Sequence, residues 1–311
     1  MDAAIFGLIV ADVVARPMDP RRPPERGGLS VLDSISLHTG GNACNVAVAM
    51  AKLGMSVASA GLVGDDLFGA AMVERLSAAK VDASHVRRDP RAQTSATVVA
   101  VDPTGERCFF HVPGVTSNLN ADSFRGCFEL FRQCAWVLIG YFGLLPEALV
   151  RELPTLLGEL RATAPGTRVA LDTSHPPAKR SLLDPILPHL DLFAPSRPEA
   201  VALTGEKDPI EIVASIRPSM RPDAIVGIKL DADGCYLDDG ARRLMLPAYR
   251  VDVIDTTGAG DAWFAGLLTG LRKGMPLEQC GKLANRAAAD CCSALGASAG
   301  IRSFEETMSR L

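Results

Sequence analysis

The segment from Asp255 to Asp261 holds the residues whose types and spacing best suit chemistry. An acid and two threonines precede the small-residue turn Gly258-Ala259-Gly260, and Asp261 follows at the start of an apolar helical pattern. Glycines let the backbone approach a ligand because no Cβ intervenes. The first turn of a helix has unpaired N–H groups and a positive dipole end. The segment therefore predicts an anion hole, most often for a phosphate, beside a carboxylate that could accept a proton.

A purely structural interpretation of the same segment is a capped helix start. Thr257 would then be the N-cap, and Asp261 would be an acid that the helix dipole favours in the first turn. For a generic turn of this composition the structural interpretation would be preferred. The length of the pattern and the segments described below favour the chemical one.

Composition limits the classes of function. The chain has 311 residues, of which 48% are hydrophobic and 22% charged, so it can bury a sizeable core. Its net charge of −4 argues against a nucleic-acid or anionic-membrane partner. No apolar run is long enough to span a bilayer, and the first residues lack the basic start of a secretory signal. We therefore expect a cytoplasmic protein that acts on small molecules.

The cysteines and histidines do not predict a metal centre. Eight cysteines are present, none of them in a Cys-x-x-Cys pair, and the adjacent Cys291 and Cys292 are poorly spaced for a disulfide or for zinc. Five histidines are scattered along the chain. The cysteines are therefore expected to be buried thiols in a reducing compartment.

The N-terminal half contains both buried and half-exposed strand patterns. Continuous apolar runs predict strands covered on both faces, and alternation of apolar and polar residues predicts strands with one wet face. We expect helices over 42–53 and 67–80, and strands over 3–10, 29–38, 56–63, 94–102 and 106–112. The alternating strands predict a small, partly exposed sheet, separate from the main one and built from about residues 12–38 and 92–112.

From residue 135 strands and helices alternate regularly. The predicted strands are 135–140, 168–172, 190–194, 223–229 and 242–246. The predicted helices are 146–163, 179–188, 197–203, 209–217, 258–272 and 277–294. Such alternation predicts a mainly parallel sheet with helices on both faces. The expected fold is therefore α/β, a Rossmann-like three-layer sandwich with a second, smaller sheet, in a single domain over residues 1–311.

Polar residues near two predicted element ends are candidates for ligand contacts. Asp12 follows the first predicted strand, and ligands bind at the carboxyl ends of parallel strands. Asn42 and Asn45 lie in the first turn of the helix that Gly40-Gly41 opens, and their amides could hydrogen-bond sugar hydroxyls. The structural alternatives are a turn residue at Asp12 and an N-cap at Asn42.

Two segments, in this order and separation, resemble the two signatures of the ribokinase-like carbohydrate kinases, also called the PfkB family. The first is Gly40-Gly41-Asn42-Ala43-Cys44-Asn45 with the glycine-containing stretch 61–69, and the second is the segment 255–261. The match covers nearly the whole chain. The resemblance implies a ribokinase-like fold in which the small sheet is a lid over the sugar. In many relatives this lid also pairs two subunits, so a homodimer is expected.

The same resemblance implies phosphoryl transfer from ATP to a hydroxymethyl oxygen of a carbohydrate. Asp261 would be the catalytic base, and the backbone of Gly258, Ala259 and Gly260 would be the anion hole. The helix N-terminus should lower the pKa of Asp261, so that its carboxylate is ionised at neutral pH. Such a weak base suffices, because a loose phosphoryl-transfer transition state depends mainly on positioning and charge neutralisation.

The resemblance also assigns the remaining ligands. The sugar is assigned to Asp12, Gly40, Gly41, Asn42 and Asn45. The nucleotide is assigned to Lys229, Asp231, Gly234 and Asn285, of which Asn285 is near the adenine and Asp231 stands where the family usually has glycine. A monovalent-cation site, in which a potassium ion would reinforce the anion hole, is assigned to Asp255, Thr257 and Gly296.

A magnesium ion is expected near Glu199. The segment Ser196-Arg197-Pro198-Glu199 matches the family's Asn-x-x-Glu motif, which is tied to magnesium and phosphate, with serine in place of asparagine. A serine hydroxyl can still order a water around Mg²⁺, and Glu199 is the better candidate. Its structural alternative is an ordinary acid in the first turn of a helix.

Three other functions are open at this point. A nucleoside kinase would share both signatures, and Tyr141 or Phe142 could stack on a base, pack on a sugar face or simply belong to the core facing the lid. An aromatic content of 5% disfavours a stacking-rich pocket. A sugar or nucleotide sensor without turnover is disfavoured because it would not need Asp261. A dinucleotide-dependent dehydrogenase would need Gly-x-Gly-x-x-Gly after the first strand, which residues 7–12 lack.

Overall fold

The computed structural model describes residues 1–174 and 179–311. Within these residues thirteen strands form two sheets, and eleven α-helices surround them. The strands are β1 Ala3–Phe6, β2 Val10–Arg16, β3 Ser34–Gly40, β4 Val57–Gly64, β5 Asp82–Asp89, β6 Ser95–Val101, β7 Arg107–Val112, β8 Trp136–Ile139, β9 Arg168–Leu171, β10 Leu192–Phe193, β11 Ile225–Lys229, β12 Cys235–Asp238 and β13 Arg243–Leu246. The helices are α1 Asn42–Lys52, α2 Leu67–Ala78, α3 Ala121–Arg125, α4 Phe128–Arg132, α5 Glu147–Thr163, α6 Arg180–Leu183, α7 Arg197–Thr204, α8 Pro209–Ile216, α9 Ala259–Arg272, α10 Leu277–Cys292 and α11 Phe304–Met308.

The large sheet has nine strands in the order β13-β12-β11-β10-β9-β8-β1-β4-β5. The strands from β11 to β5 are parallel, whereas β12 and β13 pair antiparallel. Every residue of the central strands β1, β4 and β8 is buried. Burial on both faces is typical of a parallel sheet that helices cover from both sides, and the predicted three-layer sandwich is confirmed.

Two hydrophobic cores lie on the two faces of the large sheet. One core packs α3, α4, α5 and α8 against the sheet, and in it the rings of Phe124 and Phe131 meet Phe6 edge to face. The other core packs α1, α2, α9 and α10. Helices α1 and α9 contact each other in this second layer. This packing therefore brings the two signature helices together.

The small sheet, with the order β3-β2-β6-β7, comes from the two predicted segments and is separate from the large one. Because residues paired across strands share a face, its register defines two rows. One row is apolar and consists of Leu37, Val13, Val98 and Phe110. The neighbouring row on the opposite face is polar and consists of His38, Asp12, Thr97 and His111. The two rows therefore lie on opposite faces of the sheet, and these faces are called the apolar face and the polar face after them.

The predicted strand 3–10 is wrong in its extent. β1 ends at Phe6, and Val10 already belongs to the small sheet. The chain leaves the large sheet at Gly7, where a Cβ would lie 2.5 Å from the Oδ1 atom of Asn42. Asp12 therefore lies within β2 and does not follow a strand of the large sheet. The continuous apolar run hides this change of sheet.

Other differences concern elements that lack a clear hydrophobic period. β3 begins only at Ser34, and the helix predicted over 179–188 consists of α6 and a separate 3-10 turn, Leu187–His189. Strand β5 and helices α3, α4 and α11 have no counterpart in the sequence-based prediction. β5 is a polar strand at the sheet edge, and each of these helices has five residues, too few to show a 3.6-residue repeat.

Helix α2 offers a matched test of the second core. Leu76 is fully buried in that core, whereas Leu67 of the same helix is 88% exposed. We predict that Leu76→Ala lowers the free energy of unfolding by about 2–5 kcal/mol, because it removes apolar contacts and leaves a cavity. Leu67→Ala is expected to change it by less than about 0.5 kcal/mol. Urea unfolding followed by circular dichroism measures both, and equal losses would contradict this description of the core.

Candidate active site

The anion-hole segment forms the start of α9, a helix of 14 residues. Gly258 is its N-cap with φ +76°, and a Cβ there would lie 2.5 Å from the Cβ of Ala297. Both conformation and space therefore require glycine at this position. The structural interpretation with Thr257 as N-cap is wrong, because the cap residue is Gly258. The N–H of Ala259 donates to the carbonyl of Thr256 at 3.2 Å.

Gly260 is in a different situation from Gly258. Among the described residues, the only atom within 4 Å of an ideal Cβ on Gly260 is the Nζ of Lys229, at 3.6 Å. The protein itself therefore has room for a side chain here. The space in front of Gly260 is bordered by an ammonium group and a helix start, which together favour an anion.

Asp261 follows in the first turn of α9 and is 2% exposed. Its Oδ2 accepts hydrogen bonds from Asn45 Nδ2 and from Tyr141 Oη, both at 2.9 Å. Its Oδ1 is buried and has no hydrogen-bond partner among the described residues. One oxygen is thus held in place, and the other is available to a ligand.

Burial sets the acidity of Asp261. It raises the pKa of this carboxyl, while the hydrogen bonds from Asn45 and Tyr141 and the charge of Lys229 lower it less strongly. The expectation that the helix N-terminus would lower the pKa is therefore wrong for the protein without ligands. Loss of hydration outweighs the favourable groups around the carboxylate.

The predicted sugar side lies next to Asp261. Asp12 projects from the polar face of the small sheet, and a Cβ on Gly40 would lie 2.2 Å from its Oδ2. Burial raises the pKa of Asp12 to about 6, the side chain of Thr97 opposes this rise, and the charge of Asp261 adds to it. Asp12 and Asp261 are therefore close enough to interact. The fold thus brings a residue of the small sheet next to the start of α9, although the two are far apart in sequence.

The two asparagines at the start of α1 make different contacts. Asn45 reaches Asp261, whereas Asn42 is completely buried and its Oδ1 accepts the N–H of Leu8 at 3.2 Å. The amide of Asn42 fills the space beside Gly140, where a Cβ would overlap it. The prediction that Asn42 could be an N-cap is wrong, because Gly41, with φ +77°, has that position. These contacts support the local fold, and the sugar role of Asn42 stays a prediction.

Lys229 defines the predicted phosphate side. It ends β11, and its side chain is 13% exposed. Its Nζ lies 2.7 Å from Asp172 Oδ1 and 4.8 Å from the centre of the Phe264 ring. Glu199 lies in the same group of charges, since its carboxylate contributes to the pKa of Lys229. Burial alone would lower the pKa of Lys229, but Asp172 and Glu199 raise it overall. The ammonium is therefore charged at neutral pH, next to Gly260.

Glu199 belongs to the group of charges around Lys229, and it also makes hydrogen bonds that stabilise the local fold. Its Oε2 accepts the N–H of Ser196 at 2.7 Å and the hydroxyl of Thr173 at 2.6 Å. With the Ser196 side chain it completes a capping box at the start of α7. Glu199 is therefore an acid of the first helical turn, as its structural alternative predicts. The same contacts hold its carboxylate near Lys229.

The arrangement of these elements is that of a known family. The model of the pfkB family carbohydrate kinases matches residues 2–303. The chain belongs to this family. Its predicted membership and ATP-dependent sugar-kinase class are confirmed.

Individual relatives agree with this assignment. The kinase is 31% identical to the fructokinase of Klebsiella pneumoniae over 270 residues, 84% of this chain and 86% of that one. It is 29% identical to an uncharacterised sugar kinase of Archaeoglobus fulgidus over 254 residues, 81% and 97% of the two chains. The structure of Arabidopsis thaliana ribokinase, complexed with ribose and ATP, has a TM-score of 0.85 at 22% identity and covers 99% of this chain and 97% of that one. The ribokinase-like fold is thereby confirmed.

The residues that are predicted to bind the nucleotide lie in two different environments. Asp231 has φ +54° and Gly234 has φ +99°, so both are in the left-handed region, which explains why glycine suits the position of Asp231. Asn285 is buried, and its amide donates to the carbonyls of Leu246 and Pro247 while its Oδ1 accepts from Trp263. These contacts support the surrounding loop, and the adenine role of Asn285 stays a prediction.

The three predicted cation-site residues do lie together. Asp255 Oδ1 accepts the N–H of Thr257 at 2.7 Å, and Asp255 Oδ2 accepts the N–H of Gly296 at 2.8 Å. Arg107, from the small sheet, joins them with its Nη2 at 2.6 Å from Asp255 Oδ1. The sequence analysis had not identified Arg107 as part of this group.

Sequence reasoning also missed Asp172. Burial raises its pKa to about 7, Lys229 opposes the rise, and Glu199 adds to it. A signal was available, because Asp172 directly follows β9 and ligand groups gather at the ends of parallel strands. Arg107 has no comparable position at the end of a parallel strand, since it begins β7, whose other residues are exposed.

Residues 1–174 and 179–311 contain neither a metal-binding cluster nor a membrane-spanning helix. In them no three His, Cys, Asp or Glu side chains are grouped so that they could hold a metal ion. Nor do they contain a helix that is both long and apolar enough to cross a membrane. Mg²⁺ usually binds one or two carboxylates together with waters and substrate phosphates. Glu199, whose carboxylate lies near Lys229, stays the predicted carboxylate for such an ion.

The two glycines of the anion hole give a matched prediction. Gly260→Ala should leave the thermal midpoint unchanged or slightly higher, since alanine is about 1 kcal/mol better in a helix, yet it should weaken ATP binding by crowding the phosphate position. Gly258→Ala should lower the midpoint, because of its φ of +76° and its contact with Ala297. Differential scanning fluorimetry and calorimetric titration with ATP measure the two effects. Full ATP affinity in Gly260→Ala would contradict an anion hole at this turn.

Proposed function

We propose that this PfkB-family kinase transfers the γ-phosphoryl group of ATP to a hydroxymethyl oxygen of a sugar, with Asp261 as the base and Gly258, Ala259 and Gly260 as the anion hole. The observation that carries the proposal is the buried Oδ1 of Asp261, which has no hydrogen-bond partner among the described residues. It lies between a polar sugar side at Asp12 and the ammonium of Lys229. A buried polar atom without a partner is costly unless a ligand completes it.

The two oxygens of Asp261 have different roles in this mechanism. Oδ2 is held by Asn45 and Tyr141, and this fixes the plane of the carboxylate. Oδ1 accepts the hydrogen bond of the sugar hydroxyl and takes its proton as the oxygen attacks the γ-phosphorus. The bond between that phosphorus and the β-γ bridging oxygen breaks, and ADP leaves. Proton transfer is late, because the transition state is loose.

The positive groups neutralise charge on the transferring phosphoryl group. The ammonium of Lys229 and the N–H groups at the start of α9 are fixed before ATP binds, so they need little reorganisation. Mg²⁺ would supply charge neutralisation on the phosphate oxygens, with Glu199 in contact through water. Asp172 and Glu199 hold Lys229 at its position beside Gly260.

The small sheet is proposed as the lid over the sugar. Its polar face supplies Asp12, and its apolar face has an exposed row that includes Val98 at 39% and Phe110 at 53% exposure. An exposed apolar sheet face is stabilised when a partner covers it. We propose that a second copy of the chain does so, which makes the kinase a homodimer. A cytoplasmic location and the lack of a nucleic-acid partner stay predictions from composition.

A panel of acceptors tests the proposed function. Coupled ADP release with Mg²⁺ and ATP should show turnover on a ketohexose or pentose such as fructose or ribose, and ³¹P NMR should show a sugar phosphate. Adenosine and other nucleosides should be poor acceptors. Fast turnover on nucleosides alone would replace the sugar-kinase assignment by a nucleoside kinase. ADP release without any acceptor would indicate a hydrolase.

The base is tested by Asp261→Asn. We predict that kcat falls by about 10²–10⁴-fold, the usual contribution of a positioned base, while the affinity for ATP changes little. The variant should not lose stability, because an amide is easier to bury than a carboxylate. Asp65→Asn, at a solvent-exposed aspartate, is the matched control. Wild-type rates in Asp261→Asn would show that another group accepts the proton.

The pH profile tests the hydrogen bond from Tyr141. The base must be ionised, so kcat/KM should fall as the pH drops through the pKa of Asp261, which burial raises above its ordinary value. Tyr141→Phe removes a bond that lowers this pKa, so the acid limb should move to higher pH. Tyr236→Phe, a buried tyrosine in β12, should leave the limb in place. If the acid limb of the pH profile does not move in Tyr141→Phe, the hydrogen bond from Tyr141 does not control the pKa that the profile reports.

The dimer is tested by charges on the apolar face of the lid. Sedimentation velocity of the wild type should give the mass of two chains. The double variant Val98→Glu/Phe110→Glu should sediment as a monomer, because two buried carboxylates per chain would be desolvated in the interface. Leu67→Glu, at an exposed leucine of α2, should remain dimeric. A wild type that is monomeric at micromolar concentration, about the level at which such dimers assemble, would refute the proposal.

A further inference from the structure

Arg107 connects the small sheet to the turn that leads into the anion hole. It is the first residue of β7, and its side chain is 18% exposed. Its Nη2 lies 2.6 Å from Asp255 Oδ1, and its Nη1 donates to Thr257 Oγ1. The guanidinium therefore binds the carboxylate and the hydroxyl at the same time, a two-point contact that suits its planar shape.

The carboxylate that Arg107 contacts is already well supplied with donors. Besides the guanidinium, Asp255 accepts the N–H of Thr257 on Oδ1 and the N–H of Gly296 on Oδ2. Its side chain is 9% exposed. The guanidinium of Arg107, which lies within hydrogen-bond distance, therefore balances the charge of the buried Asp255 carboxylate.

The same three residues are those that the family resemblance assigned to a monovalent cation. A metal ion there would be held mainly by backbone carbonyls and would draw on the negative charge of Asp255, which Arg107 already balances. It would also lie beside a guanidinium, and two like charges at short distance repel each other strongly in a partly buried site. With Arg107 in place, these residues therefore do not fit a potassium ion.

We infer that Arg107 supplies, from the lid, the positive charge beside the anion-hole turn, so that the kinase works without a monovalent metal ion. The inference rests on the proposed function for its kinetic readout only. Arg107 touches neither the attacking oxygen nor the phosphorus, so it is a positioning residue that acts through Asp255 and Thr257. Because Arg107 belongs to the same face of the small sheet as Asp12, closure over the sugar and completion of the turn occur together.

The kinetic test compares salts at constant ionic strength. ATP is supplied as its Tris salt, and KCl, NaCl and choline chloride are each used at about 0.1 M so that screening is equal. Wild-type kcat/KM should agree in the three salts within about twofold. Arg107→Gln in NaCl or choline should lose about 10- to 100-fold, as expected for one lost charge-stabilising group, and KCl should restore most of that loss. Arg107→Lys, which keeps the charge, should stay insensitive to potassium.

A matched control and a readout without turnover complete the test. Arg21→Gln removes another lid arginine, one whose side chain is 66% exposed in its pair with Asp102, and should change neither rate nor salt response. The thermal midpoint of Arg107→Gln should be higher in KCl than in NaCl, since the vacated carboxylate can then bind potassium. The wild-type midpoint should be equal in both salts. This measurement needs no substrate, so it decides the inference even if the sugar-kinase proposal fails.

Two results would overturn the inference. One is a wild-type enzyme that KCl activates several-fold over NaCl, which would mean that potassium binds while Arg107 is present. The other is an Arg107→Gln variant that loses activity equally in all salts and shows no potassium-dependent midpoint. That pattern would mean that Arg107 acts elsewhere, for example on the ATP phosphates, and the KM for ATP would then rise in the same variant.

Discussion

Burial of the Asp261 carboxylate is the constraint on which the rest of the site depends. A carboxylate removed from water holds its proton more tightly, yet a base must be ionised when the substrate arrives. The groups that oppose this effect come from distant parts of the chain, namely Asn45 in α1, Tyr141 after β8 and Lys229 at the end of β11. The fold unites them because α1 packs on α9 within one helical layer, while the parallel strands end at the same edge of the sheet. The three-layer architecture is thus a means of keeping one buried acid usable.

The same burial explains why the phosphate side contains carboxylates as well as a cation. Burial lowers the pKa of Lys229, and the charges of Asp172 and Glu199 raise it overall. A phosphate at the start of α9 would compete with Asp172 for this ammonium. Since the pKa of Asp172 is already raised to about 7, that carboxyl can take up a proton instead of remaining as an unpaired charge. The site can therefore exchange an internal partner for a ligand without leaving an isolated buried charge.

The sequence predicted the layers of the fold and the two signature turns well, because glycine spacing and apolar runs are local signals. It failed where the decisive contact is not local. Nothing near Asp12 shows that the apolar run crosses from one sheet to the other, and nothing near Arg107 shows that its partner is Asp255. The sign of the pKa shift at Asp261 was also out of reach, because a helix start is visible in sequence whereas the depth of burial is a property of the assembled layers. Asn42 illustrates the same limit, since its complete burial beside Gly140 and its contact with Leu8 cannot be seen in a helix-start motif.

The small sheet combines these non-local contacts in one rigid element. Residues an even number of positions apart on a strand share a face, so the face that presents Asp12 to the sugar side also presents Arg107 to the turn before the anion hole. If this sheet closes as the proposed lid, it moves as a unit while its ladders stay paired, so Asp12 would reach the sugar side and Arg107 would reach Asp255 together. In such an arrangement the charge next to the anion hole is complete only when the sugar side is covered. Water that reaches the open site would meet ATP beside an incomplete hole, which favours transfer to sugar over hydrolysis.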